Sequence, residues 1–136
     1  MEPLIYIDTR EQMPIEFTRS INIKLIVGDY TTKKHFNKLH LERKSPADLY
    51  GTILSGHKRF HKELRRAFEN QIGLIMIIEC TEEKFYSMRW RGGKYCKVKP
   101  ETLKKIIETI KERYRLNFIW CTNRKKMKFV ILKLLK

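Results

Sequence analysis

The chain is short of the features that mark an exported or membrane protein. Its three cysteines, Cys80, Cys96 and Cys121, are odd in number and widely spaced, with no C-x-x-C pair. That argues against a disulfide framework and a structural zinc site, and suits a reducing compartment. No apolar stretch is long enough to span a bilayer, so no membrane association is expected. Met1-Glu2-Pro3 has neither the basic start nor the apolar run of a signal peptide. The expected location is therefore the cytoplasm or an equivalent space, nuclear or host-cytosolic, and not the cell exterior. Repeats, low-complexity segments and linkers are also missing. The four prolines (Pro3, Pro14, Pro46, Pro100) each fall where an element would begin or break. Acids are scarce: 15 Asp+Glu stand against 30 Lys+Arg, a net charge of +15.

What is present fits a single domain over residues 1–136, enough chain for one core and too little for two. The positive excess repels itself and cannot stabilise the fold. It does attract polyanions, because releasing counterions from a nucleic-acid backbone drives binding. Charge alone leaves a ribosome-associated or other basic RNA-binding protein open as an alternative.

Leu4 to Ile7 reads as a short strand ending in Asp8, followed by an irregular stretch over 9–20. Ile21, Ile23, Leu25 and Val27 alternate with polar residues, the pattern of a half-buried strand that Gly28 interrupts. Residues 29–36 and 38–44 read as a hairpin around Asn37-Lys38. Ser45-Pro46-Ala47-Asp48 is a helix start, with Ser45 at the N-cap, Pro46 at N1 and Asp48 at N3; Gly56 is expected to end that helix. A second helix is predicted from about Lys58 to Asn70, with Phe60, Leu64, Ala67 and Phe68 on its apolar face. Ile72 to Ile78 is nearly all apolar, as in a strand buried on both faces. A short helix over Glu82 to Met88, a helix from Pro100, a strand over Asn117 to Cys121 and a last helix capped by Thr122 or Asn123 complete the order. The fold class expected is α/β, a mixed central sheet with helices on both faces.

The chemistry-bearing residues concentrate in the hairpin. Residues i and i+2 of a strand share a face, so Glu42 and Lys44 project together while Arg43 points away. The hairpin brings Asp29 alongside. Two carboxylates on one face can hold a hard divalent cation through oxygen, with the ammonium placed to meet a water or a phosphate. Blander readings exist for each residue. Glu42 and Lys44 make sense as an exposed ion pair worth under about 1 kcal/mol, Asp48 as a helix cap, Gly28 as a turn, Tyr30 as packing and Asp8 as a strand end. His57 and His61, four apart on a helix, lack an evident third zinc ligand and read as a polar or DNA-facing surface.

Taken together the motifs resemble the XPF-type endonuclease domain, a branch of the PD-(D/E)XK, restriction-endonuclease-like superfamily. The D-x-R-E pattern is matched by Asp8, Arg10 and Glu11, and the G-D-[YF] triplet by Gly28, Asp29 and Tyr30. E-R-K-x-x-x-D is matched by Glu42, Arg43, Lys44 and Asp48, and Arg59 fits an arginine that opens the second helix. Where the family commonly has glutamine four positions on, this chain has Glu63, a departure. The resemblance implies a restriction-endonuclease-like fold and a Mg2+- or Mn2+-dependent structure-selective DNA endonuclease, cutting phosphodiester bonds at flaps, forks or four-way junctions. It implies Asp29 and Glu42 as metal ligands, helped by the backbone carbonyl of Arg43. Lys44 becomes the group that orients water and steadies charge at the phosphate. Asp8 becomes an outer ligand or an orienting group, and Arg10, Glu11, Arg43 and Asp48 the supporting network. An inactive DNA-binding subunit is the family's own alternative, although such subunits lose the acids and lysine retained here.

Further DNA contacts are expected from Arg59, Lys62 and Arg66 on the second helix, along with its neighbours Lys58 and Arg65. Trp90, Arg91 and Lys94 in the basic, glycine-containing loop are a second candidate surface, unless Trp90 tucks into the core. Relatives of this type carry helix-hairpin-helix modules after the nuclease domain, which are not seen before Lys136, so a stand-alone domain is expected. The apolar stripes over 100–115 and 123–135 suggest a homodimer through the C-terminal helices.

Overall fold

A computed structural model describes residues 2–136. Six strands form one mixed sheet: β1 (Ile5–Ile7), β2 (Ser20–Asn22), β3 (Tyr30–Thr31), β4 (Leu39–Lys44), β5 (Gly73–Ile78) and β6 (Asn117–Trp120), in the spatial order β2-β1-β3-β4-β5-β6. β3 runs antiparallel to both of its neighbours, whereas β4, β5 and β6 run parallel to one another. The helices are α1 (Pro46–Ile53), α2 (His57–Glu69), α3 (Glu82–Tyr86), α4 (Pro100–Tyr114) and α5 (Arg124–Leu134).

β5 explains why the sheet needs cover on both sides. Leu74, Met76 and Ile78 pack into a core with Leu49, Phe60, Leu64, Leu103 and Ile107, which belong to α1, α2 and α4. Ile77 points the other way, into a core of Ile5, Ile7, Tyr30 and Leu41 closed by Met127 and Ile131 of α5. A continuous apolar strand is thus divided between two cores by the period-2 geometry of a strand. The same alternation on β4 sends Leu41 to the α5 side and leaves Glu42 on the side of α1 and α2.

Capping chemistry sets the helix starts. The Ser45 hydroxyl accepts from the Asp48 N–H at 3.1 Å with Pro46 at N1, and the Asn123 side chain accepts from the Lys126 N–H at 2.9 Å. Such caps are each worth about 1 kcal/mol. Three expectations are corrected. Gly56 does not end α1, which stops at Ile53; Gly56 instead occupies the N-cap of α2. Phe68 does not share the buried face of α2 and is 59% exposed. The alternating segment 21–27 is a strand only as far as Asn22.

Beyond Ile23, whose N–H still donates to the Ile7 carbonyl at 2.9 Å, the backbone is captured by side chains rather than by a ladder. The Leu25 N–H donates to Asp8 Oδ1 at 2.8 Å, the Leu25 carbonyl accepts from Arg10 at 2.8 Å, and the Val27 carbonyl bonds His40 Nδ1 at 2.7 Å. Leu25 and Val27 are buried all the same. The alternation therefore reports burial correctly and pairing incorrectly. His40 is fully buried and accepts the Asn37 N–H at Nε2, so Nδ1 carries the proton that goes to Val27 and the ring is neutral. Burial holds its pKa below the ordinary value.

Candidate active site

Two backbone contacts bring the acids together. Asp29 N–H donates to the Leu41 carbonyl and Asp8 N–H donates to the Asp29 carbonyl, both at 2.8 Å. Asp29 therefore lies between the end of β1 and the middle of β4. Gly28 makes the approach possible. Its φ of +80° is left-handed, and a Cβ there would meet His40 Cβ and the Leu41 carbonyl, each at 3.2 Å. Asp29 Oδ2 accepts the Arg43 N–H at 2.8 Å, which fixes its carboxylate at the β4 edge beside Glu42.

Glu42 is 7% exposed, and its Oε2 has no hydrogen-bond partner. The nearest cation, Lys44 Nζ, is 3.9 Å away, at the limit of an ion pair. The reading of Glu42 and Lys44 as a solvated surface pair does not survive, because a buried carboxylate oxygen without a partner is costly. Burial and the facing Glu63 carboxyl push Glu42 well above the usual carboxylate range. Asp29 is pushed up to about 7, first by burial and then by the charge of Glu11, against the opposing Arg43 N–H and Lys44. Both acids are enclosed on the side where the fold supplies few donors.

On the other side the buried charges around Arg43 are satisfied. Arg43 donates to Glu11 from Nε and from its terminal nitrogen, both at 3.1 Å, and the Tyr30 hydroxyl donates to Glu11 at 3.1 Å while accepting the Ile15 N–H at 2.9 Å. Burial alone would raise Glu11, but these bonds hold it below its ordinary value. Asp8 is treated the same way. Its two oxygens accept from Arg10 Nε at 2.9 Å, the Arg10 N–H at 3.1 Å and the Leu25 N–H at 2.8 Å, and these outweigh burial to lower its pKa. Asp8 thus pins Leu25 and Arg10, the geometry of an orienting group.

The acids open into a groove. One part, of about 410 Å3, is lined by Asp8, Arg10, Asp29, Glu42, Arg59 and Glu63 among others. A neighbouring part, of about 600 Å3, is lined by Lys44, Asp48 and Lys58 and again by Arg59 and Glu63. Lys62 and Arg66 also border the first part, so three of the cations expected to meet phosphates, Arg59, Lys62 and Arg66, do face the acids.

The ERCC4 domain family model matches residues 7–134. The chain belongs to the ERCC4-domain family. Among solved structures it is similar to XPF from Aeropyrum pernix, with a TM-score of 0.74 and 21% identity over 98% of this chain and 60% of that one. XPF from Aeropyrum pernix in complex with DNA gives a TM-score of 0.72 and 21% identity over 98% of this chain and 63% of that one. The chain therefore spans about three fifths of the length of these structures. No curated protein matches it. The fold is the α/β, XPF-type nuclease fold that the sequence motifs imply.

Within this ERCC4 domain, Asp8, Asp29, Glu42 and Lys44 gather at one end of the sheet as the motifs imply. Asp48 is at N3 of α1 and lines the groove beside Lys44, so capping geometry and site position coincide. Trp90 departs from expectation. It is 8% exposed, its ring stacks on Phe85 at 6.2 Å, and its indole N–H donates to the Phe85 carbonyl at 3.2 Å. A ring held this way cannot stack on a base; Arg91 and Lys94 of the same loop remain exposed. His61 bonds the Tyr114 hydroxyl at 2.7 Å beside Arg65 and Arg113, a setting for anions rather than zinc.

The residue that sequence reasoning left without a role is Glu63. Its signal was available: it is the sole acid in a helix run containing Lys58, Arg59, Lys62, Arg65 and Arg66.

Proposed function

We propose that this ERCC4 domain is a divalent-cation-dependent, structure-selective DNA endonuclease acting at branched or single-strand/double-strand junction DNA. The observation that carries the reading is the buried, unpartnered Oε2 of Glu42 beside Asp29 at the head of an arginine- and lysine-lined groove. A carboxylate oxygen in that state calls for a cation. Asp29, Glu42 and the Arg43 carbonyl offer hard oxygens. Among the described residues no group of three or more His, Cys, Asp or Glu side chains is placed to hold a metal ion. A small set of protein oxygens completed by water suits Mg2+, and Mn2+ fits the same ligands. When bound, the cation would supply charge stabilisation at the phosphate and a more acidic water.

The chain's own groups divide the remaining work. Arg59, Lys62 and Arg66 attract and seat the DNA backbone along the groove. Lys44 projects from the same face as Glu42, where its ammonium can orient a water and steady charge on the phosphoryl oxygens. Asp8 and Arg10 hold the 23–27 segment over the site, and Arg43 with Glu11 fixes the strand that presents Glu42.

A cleavage assay on labelled fork, flap and four-way DNA with Mg2+, Mn2+ or EDTA tests this. Branch-selective cutting that EDTA abolishes and Glu42→Gln removes is the expected result. DNA binding without cutting in either metal would identify a silent subunit instead, and absence of DNA binding would end the reading. A homodimer through α4 and α5 belongs to the same proposal. Leu103, Ile107, Ile110, Met127 and Ile131 cover the sheet, while Phe129 remains 62% exposed. Light scattering at micromolar concentration is expected to give twice the chain mass, and a monomer there would reject it. No helix of the described residues is long and apolar enough to cross a membrane.

A further inference from the structure

Glu63 occupies a position that ordinary helix electrostatics does not account for. Arg59 precedes it by four residues and Arg66 follows it by three, the spacings at which a glutamate on a helix normally finds a cationic partner. Among the described residues Glu63 makes no ion pair within 4 Å with either. Its carboxyl instead faces the part of the groove that Glu42 and Asp29 also line. Two ionised carboxylates cannot bond each other, and Glu42 Oε2 stays without a partner in a residue 93% buried, the complement of its 7% exposure. Glu63 also stands at the junction of the groove's two parts, bordering both the Asp29 and Glu42 side and the Lys44 side.

We infer that Glu63 is a third carboxylate of the cation site, reaching the divalent ion of Asp29 and Glu42 through one of its waters. The position also gives α2 a second function. The helix that carries Arg59 and Lys62 toward the DNA backbone is itself tied to β4 through the ion, so cation and DNA would each favour the same placement of α2.

This inference rests on the nuclease reading of the site, and the experiment separates the two. Mn2+ binding is measured by titration calorimetry and by electron paramagnetic resonance, without DNA, on the intact chain and on Glu42→Gln, Glu63→Gln and Glu63→Asp. Outer groups of a metal site typically contribute 10–100-fold in affinity. Glu63→Gln is therefore expected to weaken Mn2+ at least tenfold, with Glu63→Asp recovering part of the loss. Melting without metal is expected to rise in Glu63→Gln, since one of two opposed acids is gone, while the Mn2+-induced rise in Tm shrinks. That pairing shows that the variant folds and that its loss concerns the ion. If Glu42→Gln abolishes binding while Glu63→Gln stays within twofold of the parent, Glu63 is not in the site and the nuclease reading stands. If the parent binds no Mn2+, both fall.

Discussion

The two faces of β4 carry the same kind of residue in opposite states. Arg43, on the α5 side, meets a Glu11 that accepts from its guanidinium, from the Tyr30 hydroxyl and from the Met13 N–H. Glu42, one residue earlier and on the opposite face, is at least as deeply buried and has an oxygen with no hydrogen-bond partner and its nearest cation 3.9 Å away. Burial is therefore not what distinguishes a scaffold from a site here; satisfaction is. The Arg43 face is an ion pair with side chains only 11% and 7% exposed, whose loss would strand a charge. The Glu42 face is a set of acids held close together against their own repulsion, stable only because the rest of the fold fixes them.

Substitutions on the two faces should separate along that line. Glu42→Gln or Asp29→Asn is expected to reduce cleavage by 10^3-fold or more, about 4 kcal/mol of barrier, while Tm holds or rises because a buried repulsion is relieved. Glu11→Ala is expected to do the reverse in kind. It should destabilise folding by about 3 kcal/mol by leaving Arg43 buried and unpaired, read as a lower denaturant midpoint. Equal loss of stability from both faces would erase the distinction.

Acidity sharpens it further. A carboxyl raised in the folded state, such as Asp29 at about 7, binds a proton that the unfolded chain has already released. Its stabilising effect is present at low pH and lost as pH rises from about 4 toward 7. Asp8 and Glu11 are lowered, so their contribution is present above the unfolded values and lost as pH falls through the folded ones. Metal-free protein is expected to lose Tm between pH 5 and pH 7.5, with a shallower fall in Asp29→Asn, whereas the Glu11→Ala variant should lose much of the parent's sensitivity below pH 4. A flat melting profile across pH 5–7.5 would contradict the enclosure of Asp29. Added Mn2+ should raise Tm more at pH 8 than at pH 6, because the ligands must first lose their protons.

Cationic surfaces give the smaller effects. Arg59→Ala or Lys62→Ala should weaken DNA binding and lower the salt slope by about one for each phosphate left without its cation. Arg91→Ala and Lys94→Ala lie on a loop whose Trp90 is anchored in the core, away from the described groove lining. They are expected to change affinity less than the α2 substitutions under the same titration. A larger loss from the loop would relocate the main DNA track.

How much of this could be read from residues alone follows from which interactions are local. The strand period placed Glu42 and Lys44 on one face, and the β3–β4 pairing brought Asp29 to them, although the first arm is a strand only over Tyr30–Thr31 and not over 29–36 as expected; both are short-range consequences of pattern. Ser45 and Asn123 announced their helices because caps bond three residues away. Leu25 and Val27 misled, since burial alternates there but the backbone partners are the side chains of Asp8, Arg10 and His40, which are remote in sequence. Trp90 was ambiguous because a basic glycine-rich loop can display a ring or bury it, and only Phe85 decides. The approach of Glu63 to Glu42 depends on the rotation of α2 over β4, a packing outcome no local pattern encodes.

The proposed chemistry turns on one divalent ion held between Asp29 and Glu42, and anomalous diffraction from crystals grown with Mn2+ addresses it most directly. One strong peak in contact with both carboxylates, absent in Glu42→Gln crystals, is the expected result. Crystals saturated with Mn2+ that show no peak there, or a peak elsewhere in the groove touching neither acid, would contradict it.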